Sequence, residues 1–263
     1  MDVRDERIDG GRPFDWGRVS GDYAEYRDIY PEEFYRRIIE RGLCANGQRI
    51  LDVGTGTGVL PRNMRDHGGV WTGADISEEQ IAQARRLSQG MGIEYRVASA
   101  EELDFPNESF DVITACQCFW YFDHERTAPL FRRLLKPGGR LLVLCMEWLP
   151  FEDAIAGASE RLVLKRNPQW SGGGATVHPI DLPDCYFEHF ELVHHEEWRL
   201  NVPFTRDSWH GRMKACRGVG ASLSPDDLQS WEDEHRKLLQ VIAPEQFDVM
   251  HYAAMAELSV LAR

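Results

Sequence analysis

The chain lacks any run approaching the roughly 18 apolar residues that would cross a bilayer, and its N-terminus lacks the apolar segment of a secretory signal. Its six cysteines, at 44, 116, 118, 145, 185 and 216, include no pair at zinc-finger spacing. Together these absences predict a reduced, cytoplasmic protein without a membrane partner. Cys116 and Cys118 sit on one strand face without further ligands, so they read as small buried thiols, and no metal is expected. Basic charge is also in deficit, with 30 Lys and Arg against 43 Asp and Glu for a net −13. Nucleic acid requires a Lys/Arg-rich face to release counterions, so it is not an expected partner. The pairs Arg36-Arg37, Arg85-Arg86 and Arg132-Arg133 read as solvated helix faces. No internal repeat or low-complexity tract is present, and Ser171-Gly-Gly-Gly174 is the one flexible spot.

What is present begins at residue 50. Ile50-Leu-Asp-Val-Gly-Thr-Gly-Thr-Gly58 places three alternate glycines after a short apolar run, and Gly69-Val-Trp-Thr-Gly-Ala-Asp75 ends the next such run in an acid. The spacing predicts one strand-helix-strand unit. Its glycine loop lets the backbone approach a ligand, and its terminal carboxylate can accept two ribose hydroxyls. A nicotinamide dehydrogenase is the main competitor. Against it, the third glycine follows the second by two residues rather than three, and Asp52 would repel a diphosphate. A ligand carrying positive charge would welcome that acid.

Four further segments continue the pattern: Gly73-Ala-Asp-Ile-Ser77, Val97-Ala-Ser-Ala-Glu-Glu-Leu-Asp-Phe-Pro106, Ser109-Phe-Asp-Val-Ile-Thr114 and Leu134-Leu-Lys-Pro-Gly-Gly-Arg-Leu141. With the glycine loop, these resemble the ordered motifs of the class I S-adenosylmethionine-dependent methyltransferases of small-molecule type, over roughly residues 48 to 147. The resemblance implies an α/β fold, a doubly wound, mostly parallel seven-stranded sheet of Rossmann-like methyltransferase type, with an N-terminal helical lid and a helical cap insertion. It also implies S-adenosylmethionine as cofactor, with S-adenosylhomocysteine as product. Carried onto matching positions, Gly54 and Gly56 would admit the methionine portion, with Asp52 near its ammonium directly or through water. Asp75 would hold the ribose. Ile76 would pack on adenine or simply be core, Ala100 and Glu101 would read the adenine edge, and Gln117 would offer its backbone carbonyl near the sulfonium.

Alternation of apolar runs places strands near 49–53, 70–75, 93–97, 110–116 and 140–146, and helices near 58–67, 77–89 and 123–135. Helices are also expected at 21–30 and at 31–41, the latter with Pro31 in its first turn. Phe187–Leu200 and Asp248–Leu261 read as long strands forming the antiparallel edge, with helices at 205–215 and 225–242 between them. The organisation expected is a lid over 1–47, a cofactor core over 48–147, and a remainder over 148–263 that completes the same domain.

Methyl transfer from sulfonium needs orientation and water exclusion, and a base only where the acceptor's proton is held tightly, so no catalytic residue need show in the sequence. After the fourth strand stands Gln117-Cys-Phe-Trp-Tyr-Phe122 rather than the Asn/Asp-Pro-Pro-Tyr/Phe of amino-methylating enzymes. Asn167-Pro-Gln-Trp170 falls too late in the chain to replace it and reads as a turn. The aromatic cluster, Trp120 included, either flanks a ligand or starts a helix as core. In the lid, Tyr23 and Arg27 are candidates for the methionine carboxylate, although the lid tyrosines also fit a packed helix face. Acceptor candidates are Glu147 with Trp148 and His178 in the insert, and Trp209, His210, Arg212, Arg217 and Gly218 in the cap. Glu147, His178 and His210 are the possible bases. His194 and His195 alternate across a strand and cannot share a metal. The function expected is methyl transfer to a small molecule. A protein or RNA methyltransferase and a non-catalytic cofactor-binding protein are the alternatives.

Overall fold

The computed structural model describes residues 6–262, so the first five residues of the expected lid lie outside the described residues. Strands β1 (Arg49–Val53), β2 (Val70–Asp75), β3 (Glu94–Val97), β4 (Phe110–Cys116), β5 (Leu135–Trp148), β6 (Phe190–Thr205) and β7 (Gln246–Val260) form one sheet in the order β3-β2-β1-β4-β5-β7-β6. Strands β1 to β5 pair in parallel. The sheet as a whole is mixed, and the last two strands occupy the edge where they were expected. Helices are α1 (Ser20–Tyr26), α2 (Glu32–Glu40), α3 (Val59–Met64), α4 (Glu78–Leu87), α5 (His124–Leu134), α6 (Ala154–Arg166), α7 (Arg206–Lys214) and α8 (Pro225–Ile242). Among the described residues no helix is long and apolar enough to cross a membrane.

Two compact units divide the chain. The first comprises the described residues up to Ile29, Glu147–Val177 and Arg199–Tyr252, and the second comprises Tyr30–Met146, His178–Trp198 and the residues from Ala253 onward. The chain passes from one unit to the other at Ile29–Tyr30, Met146–Glu147, Val177–His178, Trp198–Arg199 and Tyr252–Ala253. The core of the second unit joins Leu51, Val53, Ile113, Ala115, Leu141 and Val143 from neighbouring parallel strands to Phe122, Phe131 and Leu134 around α5. Strands covered on both faces read as continuous apolar runs, which is why β1 and β4 were legible.

Three local differences have physical causes. Pro31 is the extended N-cap of α2 rather than part of it, with ψ at 160°. Strand β5 starts five residues earlier than expected because Lys136–Gly139 bulge out, the register against β4 jumping from Phe110↔Leu135 to Val112↔Arg140. Lys136 anchors that bulge, its Nζ lying 2.8 Å from both carboxylate oxygens of Asp111. Helix α6 was not expected at all. Its N-cap Asp153 accepts from the backbone N–H groups of Ile155 and Ala156, both at 2.9 Å, and a side chain at Gly157 would collide with the Pro150 carbonyl.

Candidate active site in the glycine loop

The strand order reverses between β1 and β4, so the chain leaves the carboxyl ends of these two strands in opposite directions and opens a crevice. The segments that follow them, 54–58 and 117–121, are therefore the ones placed at that crevice. Gly54, Gly56 and Gly58 all have positive φ, at 66°, 54° and 74°. At Gly54 a Cβ would stand 2.6 Å from the Cys118 Sγ, so the residue is fixed by space as well as by conformation. Cys118 belongs to the wall of this loop, its thiol donating to the Val53 carbonyl at 3.0 Å. A Cβ on Gly58 would strike the Tyr95 hydroxyl, which is itself bonded to Ser88 Oγ at 2.8 Å.

Asp52 is buried beneath the loop, and both of its oxygens accept threonine hydroxyls at 2.6 Å: Oδ2 from Thr55 and Oδ1 from Thr114. Burial pushes its pKa up to about 6 against the opposing effect of the two hydroxyls, and nearby Asp75 adds to the rise. Through these two hydroxyls Asp52 ties the loop to β4. At the tip of β2, Asp75 Oδ2 accepts from the Gly56 N–H at 2.8 Å and Oδ1 from the Ser77 N–H at 2.9 Å. Burial raises the Asp75 pKa, and the two N–H groups oppose that rise. Each carboxylate oxygen has a second lone pair, so two acceptor positions remain for a diol.

Gln117 is a non-glycine residue at φ 62°, a strained backbone of the kind that clusters at functional sites. Its N–H donates to the Leu144 carbonyl at 2.9 Å and its side-chain amide to the Met146 carbonyl, which hold the strained turn in place. Ile76 is 48% exposed, so it is not core. Ala100 is buried in a 3-10 turn with Glu101, whose Oε1 accepts from the Asp123 N–H at 2.9 Å and so caps α5. The aromatic cluster splits: Phe119 and Phe122 enter the core, Tyr121 packs against it, and Trp120 is 41% exposed. Tyr30 stacks on Phe34 at 4.6 Å and accepts from the Cys116 thiol at 3.4 Å. Thr55, Thr114 and Ser77 were given no role in the sequence, although a hydroxyl three residues after a buried acid is a readable partner, and Cys118 was read only as the small buried thiol that it is.

The remaining candidates belong to the first unit, except His178, which belongs to the second. In the first unit, the Arg27 guanidinium stands 4.6 Å over the Tyr23 ring and reaches its hydroxyl at 3.3 Å. The cap candidates Trp209, His210 and Arg217 are buried. Trp209 is fully buried and donates Nε1–H to Ser159 Oγ at 2.9 Å. His210 is buried with its Nδ1 3.0 Å from His235 Nδ1. Arg217 grips Asp9 through Nε and Nη2 at 2.9 and 3.0 Å, inside the protein. Glu147 is half-buried near the end of β5. In the second unit, His178 is exposed and donates Nδ1–H to the Pro179 carbonyl at 2.7 Å.

Residues 51–143 match the family described as a methyltransferase domain. Demethylmenaquinone methyltransferase of Thermus thermophilus is 35% identical over 143 residues, covering 52% of this chain and 64% of that protein. Ubiquinone biosynthesis O-methyltransferase of Pseudomonas entomophila is 30% identical over 159 residues, covering 59% and 67%. The chain thus spans about two thirds of the length of these curated relatives. Among solved structures, phosphoethanolamine N-methyltransferase 2 of Haemonchus contortus, in complex with phosphomonomethylethanolamine and S-adenosylhomocysteine, superposes with a TM-score of 0.53 at 19% identity, over 93% of this chain and 58% of that one. The YcgJ protein of Bacillus subtilis gives 0.52 at 19% identity, over 89% and 100%. These two show the fold alone. The sequence match runs through the strands and loop that carry the Asp75 clasp, and on that footing the chain belongs to the class I S-adenosylmethionine-dependent methyltransferases.

Proposed function

We propose that this protein transfers the methyl group of S-adenosylmethionine to a small-molecule acceptor. One observation supports the cofactor above all others. The loop's N–H groups at Thr55, Gly56 and Gly58 are taken by the Ala74 carbonyl, the Asp75 carboxylate and the Thr55 carbonyl. A dinucleotide loop works by aiming such groups at a diphosphate. Here they lock the loop, and the adjacent acids Asp52 and Asp75 favour a cation over a phosphate. The residues present therefore fit S-adenosylmethionine and not NAD.

When bound, the cofactor supplies a carbon already activated by a sulfonium. What the chain adds is position. Asp75 would accept the ribose diol on its two remaining lone pairs. Gly54 and Gly56 would admit the methionine portion, and Asp52 would act through its field and through the threonines that it fixes. Gln117 would turn its carbonyl toward the crevice by virtue of its positive φ. Ile76 offers apolar surface for the base. Because Glu101 caps α5, the turn at Ala100 would meet the adenine edge through its backbone. Tyr23 and Arg27 remain candidates for the methionine carboxylate, and the relatives named as acting on quinone precursors favour a small acceptor over protein or RNA, as does the net charge of −13. Six cysteines, none of them in a disulfide, fit a reducing, cytoplasmic setting.

The test is thermal unfolding with S-adenosylmethionine, S-adenosylhomocysteine and NAD, each at about 100 times a micromolar dissociation constant. Saturation adds about 2.7 kcal/mol, or roughly 5 to 10 °C. Stabilisation by the first two and not by NAD is expected. Stabilisation by NAD alone overturns the assignment, and cofactor binding without transfer to any acceptor in a broad screen would favour a non-catalytic binding protein.

A further inference from the structure

Where β1, β4 and β5 begin, the second unit holds a cavity of about 280 Å³, and every residue around it belongs to that unit. Three cations, Arg41, Lys136 and Arg140, and two acids, Asp111 and Glu257, line it. Their pairing leaves one positive charge over. Buried Glu257 is shared by two guanidinium groups, with Arg41 Nη2 at 2.8 Å and Arg140 Nε at 3.0 Å. Lys136 Nζ stands 2.8 Å from both oxygens of Asp111, which also accepts the Arg49 N–H at 2.8 Å. Donors remain once these contacts are made. Among the described residues, Arg41 engages Glu257 through Nε and Nη2, while Arg140 uses Nε and Nη1. Arg41 Nη1, Arg140 Nη2 and the third N–H of Lys136 are left over, and all three side chains are partly exposed. The β5 bulge brings Lys136 and Arg140 to one cavity. It is held by backbone geometry, since Gly138 takes φ 74° and a Cβ on Gly139 would stand 2.9 Å from the Lys136 carbonyl oxygen.

We propose that this cavity is a second binding site, for a small molecule that carries carboxylate or phosphate oxygens. Ionised N–H donors are the strong partners of such oxygens, and the two acids of the wall are already matched by cations, so an entering anion meets the surplus charge. A cation would be repelled by that surplus. An apolar guest would strip water from the ion pairs without replacing it. The volume lies just under the roughly 300 to 1,000 Å³ of pockets for drug-sized ligands, which suits a metabolite and excludes a polymer. Partly exposed ion pairs are weak, so Lys136 can turn from Asp111 to a ligand at little cost. The site is distinct from the cofactor crevice: β4 runs from Phe110, next to Asp111 of the wall, to Cys116 before Gln117, about 20 Å at roughly 3.3 Å per residue. An occupant held by Arg41 and Lys136 together would join the end of α2 to the β5 bulge. No part of this rests on the methyltransferase reading.

The experiment is calorimetric titration of the full chain with succinate, with inorganic phosphate, and with succinamide, the neutral counterpart of succinate, at one ionic strength set with sodium chloride. Saturable one-to-one binding of succinate or phosphate is expected, with none of succinamide, and the tighter anion identifies which oxygens the site takes. Lys136→Gln and Arg41→Gln should each weaken that binding at least fivefold. Both should leave stabilisation by S-adenosylhomocysteine unchanged, because Asp111 keeps the Arg49 N–H and Glu257 keeps Arg140. In the 15N-labelled wild type, the amide resonances of Gly138 and Gly139 are expected to move with the anion while those of Gly54 and Gly56 stay. Unsaturable binding of both anions, equal binding of succinamide, affinity unchanged in both variants, or shifts confined to the glycine loop would each overturn the proposal. The wild-type resonances decide the matter if a variant fails to fold. Failure of the methyltransferase reading shows separately, as absent stabilisation by S-adenosylmethionine, and leaves the anion titration intact.

Discussion

Acidification should loosen the first unit before it harms the second. Burial lowers the pKa of His251 and of His235 from 6.5 to about 3, and that of His210 to about 4. These rings are neutral in the folded chain, so between pH 6.5 and 3 the unfolded chain binds more protons. The stability present above pH 6.5 is therefore lost as the pH falls toward 3. At pH 5 each of His235 and His251 removes about 2 kcal/mol relative to pH 7.5. His210 shares a contact with His235, so its proton is not counted separately. Asp52 acts in the opposite sense. Its folded pKa of about 6 exceeds the ordinary 3.8, so the folded chain takes up the proton first and gains about 1 kcal/mol by pH 5. The net expectation is a loss of about 3 kcal/mol between pH 7.5 and 5. Urea unfolding at the two pH values measures the sum, and hydrogen exchange locates it. Amides of α7 and α8 should lose protection, and those of β1 should not. An unchanged unfolding free energy, or equal loss in β1, would refute the assignment of neutral buried histidines.

Other substitutions test the remaining contacts. Asp75→Ala removes the anchor of Gly56 and the ribose acceptors together, and should weaken S-adenosylmethionine binding by about 1 to 3 kcal/mol in a calorimetric titration. Gly54→Ala places a side chain at φ 66° against Cys118, which should lower unfolding free energy by more than about 1 to 2 kcal/mol, and Cys118→Gly in the same chain should restore part of the loss. Asp9→Ala leaves Arg217 buried without its carboxylate, and a loss of about 3 to 5 kcal/mol is expected in urea unfolding.

The glycine loop, Asp75 and the parallel strands were legible because their chemistry is local: positive φ, a buried run and a terminal acid occur within 26 residues, from Ile50 to Asp75. The cap was less so. A Trp, His or Arg on a helix reads the same whether it lines a cleft or fills a core, and only the partner decides. Trp209 is claimed by Ser159, 50 residues away, and Arg217 by Asp9, 208 residues away. Helix α6 carried a readable Asp153 cap, but a cap alone does not announce a helix, and no helix was read in the insert. His251 sits beside Tyr252 in the otherwise apolar stretch from Val249 to Ala256, a pattern that marks burial.

The first unit is assembled from three separated stretches of chain, and that has consequences for its synthesis. The Asp9–Arg217 pair cannot close until residue 217 has left the ribosome, and His251 is made later still. By contrast, β1 to β5 are complete once Trp148 has been made. Vectorial synthesis thus favours early formation of the nucleotide-loop strands, with the histidine-bearing unit waiting on the stretch up to Tyr252. The N-terminal segment that includes Asp9 remains unpartnered by Arg217 through most of translation. A nonsense or frameshift lesion after residue 220 should therefore yield a chain whose glycine loop is fully encoded and whose first unit cannot be completed.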